Sequence, residues 1–196
     1  MKRRNFLVGV GGTAVGASAL VGSGAFSRVE SDRAVNIEVA KDGDAYLGMS
    51  PGPTANGDNY AEFDEKGHIE VDIGHSGEGD GDGVNSNSTT WFDGLVELCN
   101  QGKENASIFV DKEDLEFKEN AEMEFYIQYP DEDGNFVPGS DRHSLADLIE
   151  NGDNELLLGN CVFVGIKTMT YSVDATGEGS LVTGDVTVIA DVNGEE

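Results

Sequence analysis

The sequence has few of the residues that build metal and catalytic sites. Its 196 residues include two cysteines and three histidines. His68 and His75 are seven positions apart with Gly74 between them, and no His-Glu-x-x-His motif is present, so the ligands of a catalytic zinc are missing. The Gly-x-Ser-x-Gly motif of a serine nucleophile is also absent. We therefore expect no catalytic residues and no enzyme activity, and an exported hydrolase is the weakest of the functions considered.

Basic residues are scarce as well, with 12 Lys and Arg against 38 Asp and Glu. Residues 1–25 hold three basic and no acidic residues, so the remainder has nine basic residues and a net charge of −29. Such a field repels nucleic acid and anionic lipid, and we expect neither as a partner. Apolar runs at 108–110, 125–127 and 162–164 require a core, so the acidity indicates a folded halophilic protein and not a disordered one.

The N-terminus has the parts of an export signal. The adjacent Arg3 and Arg4 precede an uncharged stretch rich in Gly and Ala, which is typical of the twin-arginine route. We expect cleavage between Ala25 and Phe26, giving a signal peptide over 1–25, a single domain over 26–196 and no membrane contact afterwards. Cleavage after 17–19 and retention as an uncleaved anchor are the alternatives. Either signal reading predicts an extracellular or cell-surface location.

The rest of the chain reads as strands separated by turns. Alternating or β-branched runs predict strands over 33–40, 45–49, 68–73, 90–100, 106–110, 122–129, 161–173 and 180–192. We expect 90–100 to form a hairpin with 106–110, 161–173 to pair with 180–192, and 50–59 to be a loop. One short helix is predicted over 141–150. The pattern indicates an all-β fold, an antiparallel β-sandwich.

Three sets of residues are candidates for covalent or metal sites. Cys99 and Cys161 either form one disulfide, worth ~4 kcal/mol by loop entropy, or remain two buried thiols. Asp80, Asp82 and Asn85 place oxygen atoms at intervals on a Gly-rich loop that suits Ca²⁺, and a solvated acidic turn is the alternative. The turn over 131–135 is a weaker calcium candidate. Otherwise we expect no cofactor. Asn87 and Asn105 head glycosylation triplets.

A family resemblance rests on residues 83–102. The run Gly83-Val84-Asn85, then Thr89-Thr90-Trp91-Phe92, leads to Asn100-Gln101-Gly102. This resembles a haloarchaeal secreted family of unassigned function, which carries a similar loop before a strand that ends in Asn-Gln-Gly. That family is similar, more distantly, to the TasA and camelysin group of secreted biofilm fibre proteins.

The resemblance implies a jelly-roll sandwich that self-associates into filaments. In that group an N-terminal strand of one subunit completes a sheet of the next. On this reading the donor strand is 33–40, with Val35, Ile37 and Val39 on its apolar face. The main expectation is therefore a secreted structural or adhesive surface protein. The alternative is a monomeric extracellular module that binds calcium or carbohydrate.

Overall fold

The fold is all-β, as the sequence predicts. The computed structural model describes residues 40–74, 83–173 and 180–192. Within these ranges the chain forms twelve strands, two short α-helices and one 3-10 turn over Asp42–Asp44. The predicted signal peptide and the donor strand, including Val35, Ile37 and Val39, lie outside the described residues. No helix within those ranges is long and apolar enough to cross a membrane.

The elements follow one another along the chain with short connections. The helices are α1 (Ala55–Tyr60) and α2 (Leu145–Asn151). The strands are β1 (Leu47–Pro51), β2 (Ala61–Phe63), β3 (Ile69–Val71), β4 (Thr89–Asn100), β5 (Ala106–Asp111), β6 (Glu116–Phe117), β7 (Ala121–Gln128), β8 (His143–Ser144), β9 (Glu155–Leu156), β10 (Cys161–Thr170), β11 (Val182–Thr183) and β12 (Thr187–Asp191).

Two antiparallel sheets make up most of the fold. The larger sheet has five strands in the order β1-β4-β10-β7-β8, and the smaller has three in the order β12-β5-β9. Two further pairs, β2-β3 and β11-β6, complete the described strands. The longest strands, β4 and β10, are central in the larger sheet, which is where their nearly continuous apolar sequence is buried on both sides.

The main core joins the two larger sheets. Leu98, Ile127 and Val162 of the five-stranded sheet pack in one cluster with Ile108 and Leu156 of the three-stranded sheet. All five are nearly inaccessible to solvent, and full burial of such a side chain stabilises the fold by about 1.5–3 kcal/mol. A second cluster, built on Phe92, Leu95 and Ile166, extends the core toward α1 and β3.

The predicted strand pairings are wrong. β4 pairs with β1 and β10, whereas β5 pairs with β12 and β9, so no hairpin joins β4 to β5. The chain instead leaves one sheet for the other after Asn100, whose side-chain amide donates to the carbonyls of Glu104 and Leu156. β10 pairs with β4 and β7 and not with the strand that follows it. Strands close in sequence were assumed to pair, but burial of the apolar faces selects distant partners.

The helices also differ from the prediction, because there are two instead of one. The predicted loop over 50–59 contains α1, which begins where the hydroxyl of Thr54 accepts a hydrogen bond from the Gly57 amide at 3.0 Å. The predicted helix over 141–150 begins later, at Leu145, since His143–Ser144 pairs with β7 as a strand. It ends at Gly152, whose φ of 73° is the left-handed conformation that favours glycine at a helix end.

Candidate binding surface around Trp91

An irregularity in β4 shapes the outer face of the five-stranded sheet. Val96 is opposite Val164 of β10, but Phe92 is opposite Ile166, so the segment 93–95 faces Gly165 alone. This is a β-bulge, which redirects the side chains beside it. The segment at the start of α1 supports the bulge, because Thr54 Oγ1 donates to the Gly94 carbonyl at 2.9 Å and Asn56 Nδ2 donates to the Asp93 carbonyl at 2.9 Å.

The side chain of Asp93 is held by three hydrogen bonds. The hydroxyl of Tyr126 donates to Oδ1 at 2.6 Å, and Arg142 donates from Nε to Oδ1 at 2.7 Å and from Nη2 to Oδ2 at 2.6 Å. The Arg142 bonds lower the pKa of Asp93 below its ordinary value of 3.8. Burial, reinforced by the neighbouring Asp93 carboxylate, raises the pKa of Tyr126. At neutral pH the network therefore joins a carboxylate, a guanidinium and a neutral phenol.

Trp91 lies beside this network and remains 39% exposed. The Arg142 guanidinium carbon is 4.7 Å from the centre of the Trp91 ring and the Lys167 ammonium nitrogen is 5.1 Å from it, both within cation–π range. The Tyr126 ring meets Trp91 edge-on at 5.2 Å between centroids. Lys167 Nζ also pairs with Glu124 Oε2 at 2.8 Å. Trp91, Lys167 and Glu124 thus form one row across three adjacent strands.

Gly165 allows Tyr126 to lie across β10. A Cβ atom at Gly165 would be 2.4 Å from Cζ of Tyr126, which is closer than real atoms approach. The next loop, 129–142, is fixed to the same face of the sheet, because Phe136 packs edge-on against the buried Phe163 with centroids 5.2 Å apart. Arg142 therefore reaches Asp93 from a loop whose other contacts are apolar. We call the six residues that meet here the Trp91 surface: Trp91, Asp93, Glu124, Tyr126, Arg142 and Lys167.

The charges of the Trp91 surface cancel, since it holds two cations and two carboxylates. Trp91 is the only tryptophan of the chain, and Arg142 is the only arginine among the residues that the structure describes. The surface combines an exposed aromatic ring with hydrogen-bond donors and acceptors, which is the composition of a non-covalent binding site. No nucleophile with an adjacent base is among its residues.

The structure joins the two cysteines in a disulfide. Cys99 of β4 is directly opposite Cys161 of β10, with 4.0 Å between their Cα atoms. Glu97 lies close enough to form a cluster of metal-ligating residue types with them. Both sulfur atoms are engaged in the disulfide, so no thiolate is available there for a metal.

The calcium candidates are described only in part. Asp80 and Asp82 lie outside the described residues. The main-chain carbonyl of Asn85 accepts hydrogen bonds from Thr170 Oγ1 at 2.6 Å and Ser88 Oγ at 3.0 Å, which anchors the loop to β10. In the acidic turn over 131–135, Asp131 Oδ1 accepts the amides of Asp133 and Asn135, which lower the pKa of Asp131. That carboxylate shapes its own turn.

Both glycosylation candidates are exposed, but their surroundings differ. Asn87 lies in the turn before β4. Asn105 lies before β5, and its Oδ1 accepts a hydrogen bond from the Leu158 amide at 2.9 Å. Glycosylation therefore remains a prediction at both positions, with one asparagine oxygen already in use at Asn105.

Sequence reasoning missed the Trp91 surface altogether. Its six residues come from three strands and a loop, and they meet only through the pairing of β4, β10 and β7. One local signal was present: the Asp93-Gly94 pair interrupts an otherwise apolar strand, and glycine inside a strand often marks a bulge.

Comparison with known proteins identifies no family for the chain. It matches no protein-family model, and no curated protein is similar enough to count as a relative.

Proposed function

We propose that the protein is a secreted structural or adhesive component of the cell surface. The disulfide between Cys99 and Cys161 carries this proposal, because disulfides persist in oxidising compartments outside the cytoplasm. The arginine pair Arg3-Arg4 and the strongly acidic composition support it. We further propose that the two larger sheets are arranged as a jelly roll, as the resemblance to biofilm fibre proteins implies.

Export is tested by changing the signal without changing its charge. Arg3→Lys with Arg4→Lys keeps both positive charges but removes the pair that the twin-arginine receptor reads. We expect precursor to accumulate in the cytoplasm, while the matched variant Lys2→Arg is exported normally. Normal secretion of the double variant would contradict the twin-arginine route.

Assembly into filaments is the second part of the proposal. In the described residues β1 ends the five-stranded sheet and β12 ends the three-stranded sheet, and strands at sheet ends are where a further strand can add. The proposed donor is 33–40 of a neighbouring subunit. Its three apolar side chains, Val35, Ile37 and Val39, would each contribute about 1.5–3 kcal/mol on full burial.

Substitutions on the two faces of the donor strand test this part. Val35→Asn, Ile37→Asn and Val39→Asn together should leave a folded monomer that no longer forms filaments. The control carries Asn36→Thr and Glu38→Thr on the opposite face and should still assemble. Assembly by the triple variant, or unfolding on deletion of 26–40, would show that this strand is not a donor.

A monomeric binding module is the second candidate function, and the Trp91 surface is the observation that favours it. The two candidates make different demands, since assembly needs the donor strand and the sheet ends, whereas ligand binding needs only the outer face of the larger sheet.

A further inference from the structure

We propose that the Trp91 surface binds a neutral oligosaccharide. This inference rests on the proposed extracellular location, where such chains are exposed, but it does not depend on filament assembly.

The exposed ring of Trp91 provides the apolar part of the site. A sugar ring presents C–H groups on its faces and hydroxyls around its edge, so it packs against an aromatic ring while its hydroxyls meet polar groups nearby. Trp91 is 39% exposed, and the edge-on contact with Tyr126 together with the nearby Arg142 guanidinium holds its orientation. The ring is therefore fixed before a ligand arrives, which reduces the entropy lost on binding.

Lys167 and Glu124 provide the polar part. Their ion pair, 2.8 Å from Nζ to Oε2, puts a donor and an acceptor side by side next to the ring. The Glu124 side chain is 47% exposed, and a carboxylate accepts several hydrogen bonds while an ammonium donates three. Two neighbouring hydroxyls of a sugar can therefore donate to Glu124 and accept from Lys167 without breaking the pair.

Charge decides between a neutral and an acidic ligand. Both cations of the Trp91 surface already hold carboxylates, Arg142 with Asp93 and Lys167 with Glu124. An acidic ligand must displace one of these carboxylates, and it must approach a chain whose net charge is −26. A neutral ligand adds hydrogen bonds and leaves both ion pairs intact.

Fluorescence titration tests the proposal directly, because the chain has one tryptophan and its emission reports this surface alone. The secreted protein is titrated with hexasaccharides of glucose, mannose and N-acetylglucosamine, and with a galacturonate hexasaccharide. At least one neutral hexasaccharide should give a saturable emission change with a Kd below about 1 mM. Absence of a change with all three, or a change with galacturonate alone, overturns the proposal.

Variants that keep Trp91 locate the ligand. Lys167→Met and Glu124→Gln should each weaken binding at least tenfold, whereas the control Tyr46→Ala, which removes a ring that is 75% exposed elsewhere, should leave Kd unchanged. Thermal melting shows whether each variant folds. Binding unchanged in both folded variants contradicts the proposal. Binding that survives in the non-assembling donor-strand variant separates this site from the proposed filament function.

Discussion

Removal of the disulfide should destabilise the protein through its unfolded state. Cys99 and Cys161 are 62 positions apart, and a cross-link that closes a loop of this length lowers the free energy of unfolding by about 4 kcal/mol when it is lost. The folded state should be little changed, because Leu98 and Val162, the next residue pair, remain opposite each other in the ladder and buried in the core. Cys99→Ala with Cys161→Ala should therefore fold but melt lower.

Urea unfolding at high salt measures the effect. We expect the free energy of unfolding to fall by about 4 kcal/mol and the melting temperature by about 8–16 °C for a domain of this size. The wild-type protein in reducing agent should match the double variant. A loss below about 1 kcal/mol would refute the reasoning, since it would mean that the cross-link does not restrict the unfolded chain.

Three further changes test the Trp91 surface and its supports. Gly165→Ala should destabilise the fold by about 1–3 kcal/mol in urea unfolding, because its Cβ meets the Tyr126 ring; a neutral result contradicts that packing. The lowered pKa of Asp93 gives stability that is full above its ordinary value of 3.8 and is lost as pH falls further; Arg142→Met should flatten this acid dependence in melting curves, and an unchanged profile would argue against the ion pair. Thr54→Ala should cost about 1 kcal/mol, whereas Thr54→Ser, which keeps the hydroxyl, should cost less.

The strands were predictable because their sequences are locally consistent. β4, β7 and β10 are long runs of apolar and β-branched residues, and their predicted bounds are within a few residues of those observed. Their partners were not predictable in this way. Pairing depends on which apolar faces are buried together, and that is decided by contacts between residues far apart in the sequence. The assumption that neighbouring strands pair therefore failed for β4 with β5.

The Trp91 surface depends on the same long-range pairing. Lys167 follows Trp91 by 76 positions in the numbering, yet the register of β10 with β4 puts them side by side. The bulge at Asp93 then turns a carboxylate toward Arg142, and Gly165 leaves room for Tyr126. The sequence contains each of these residues, but only the strand register brings them together.

Negative-stain electron microscopy of the purified secreted protein tests the central claim most directly. At high salt and high protein concentration, the proposed surface function predicts ordered filaments, and the donor-strand variant should give discrete particles under the same conditions. Discrete monomeric particles from the wild-type protein under these conditions would contradict the filament proposal.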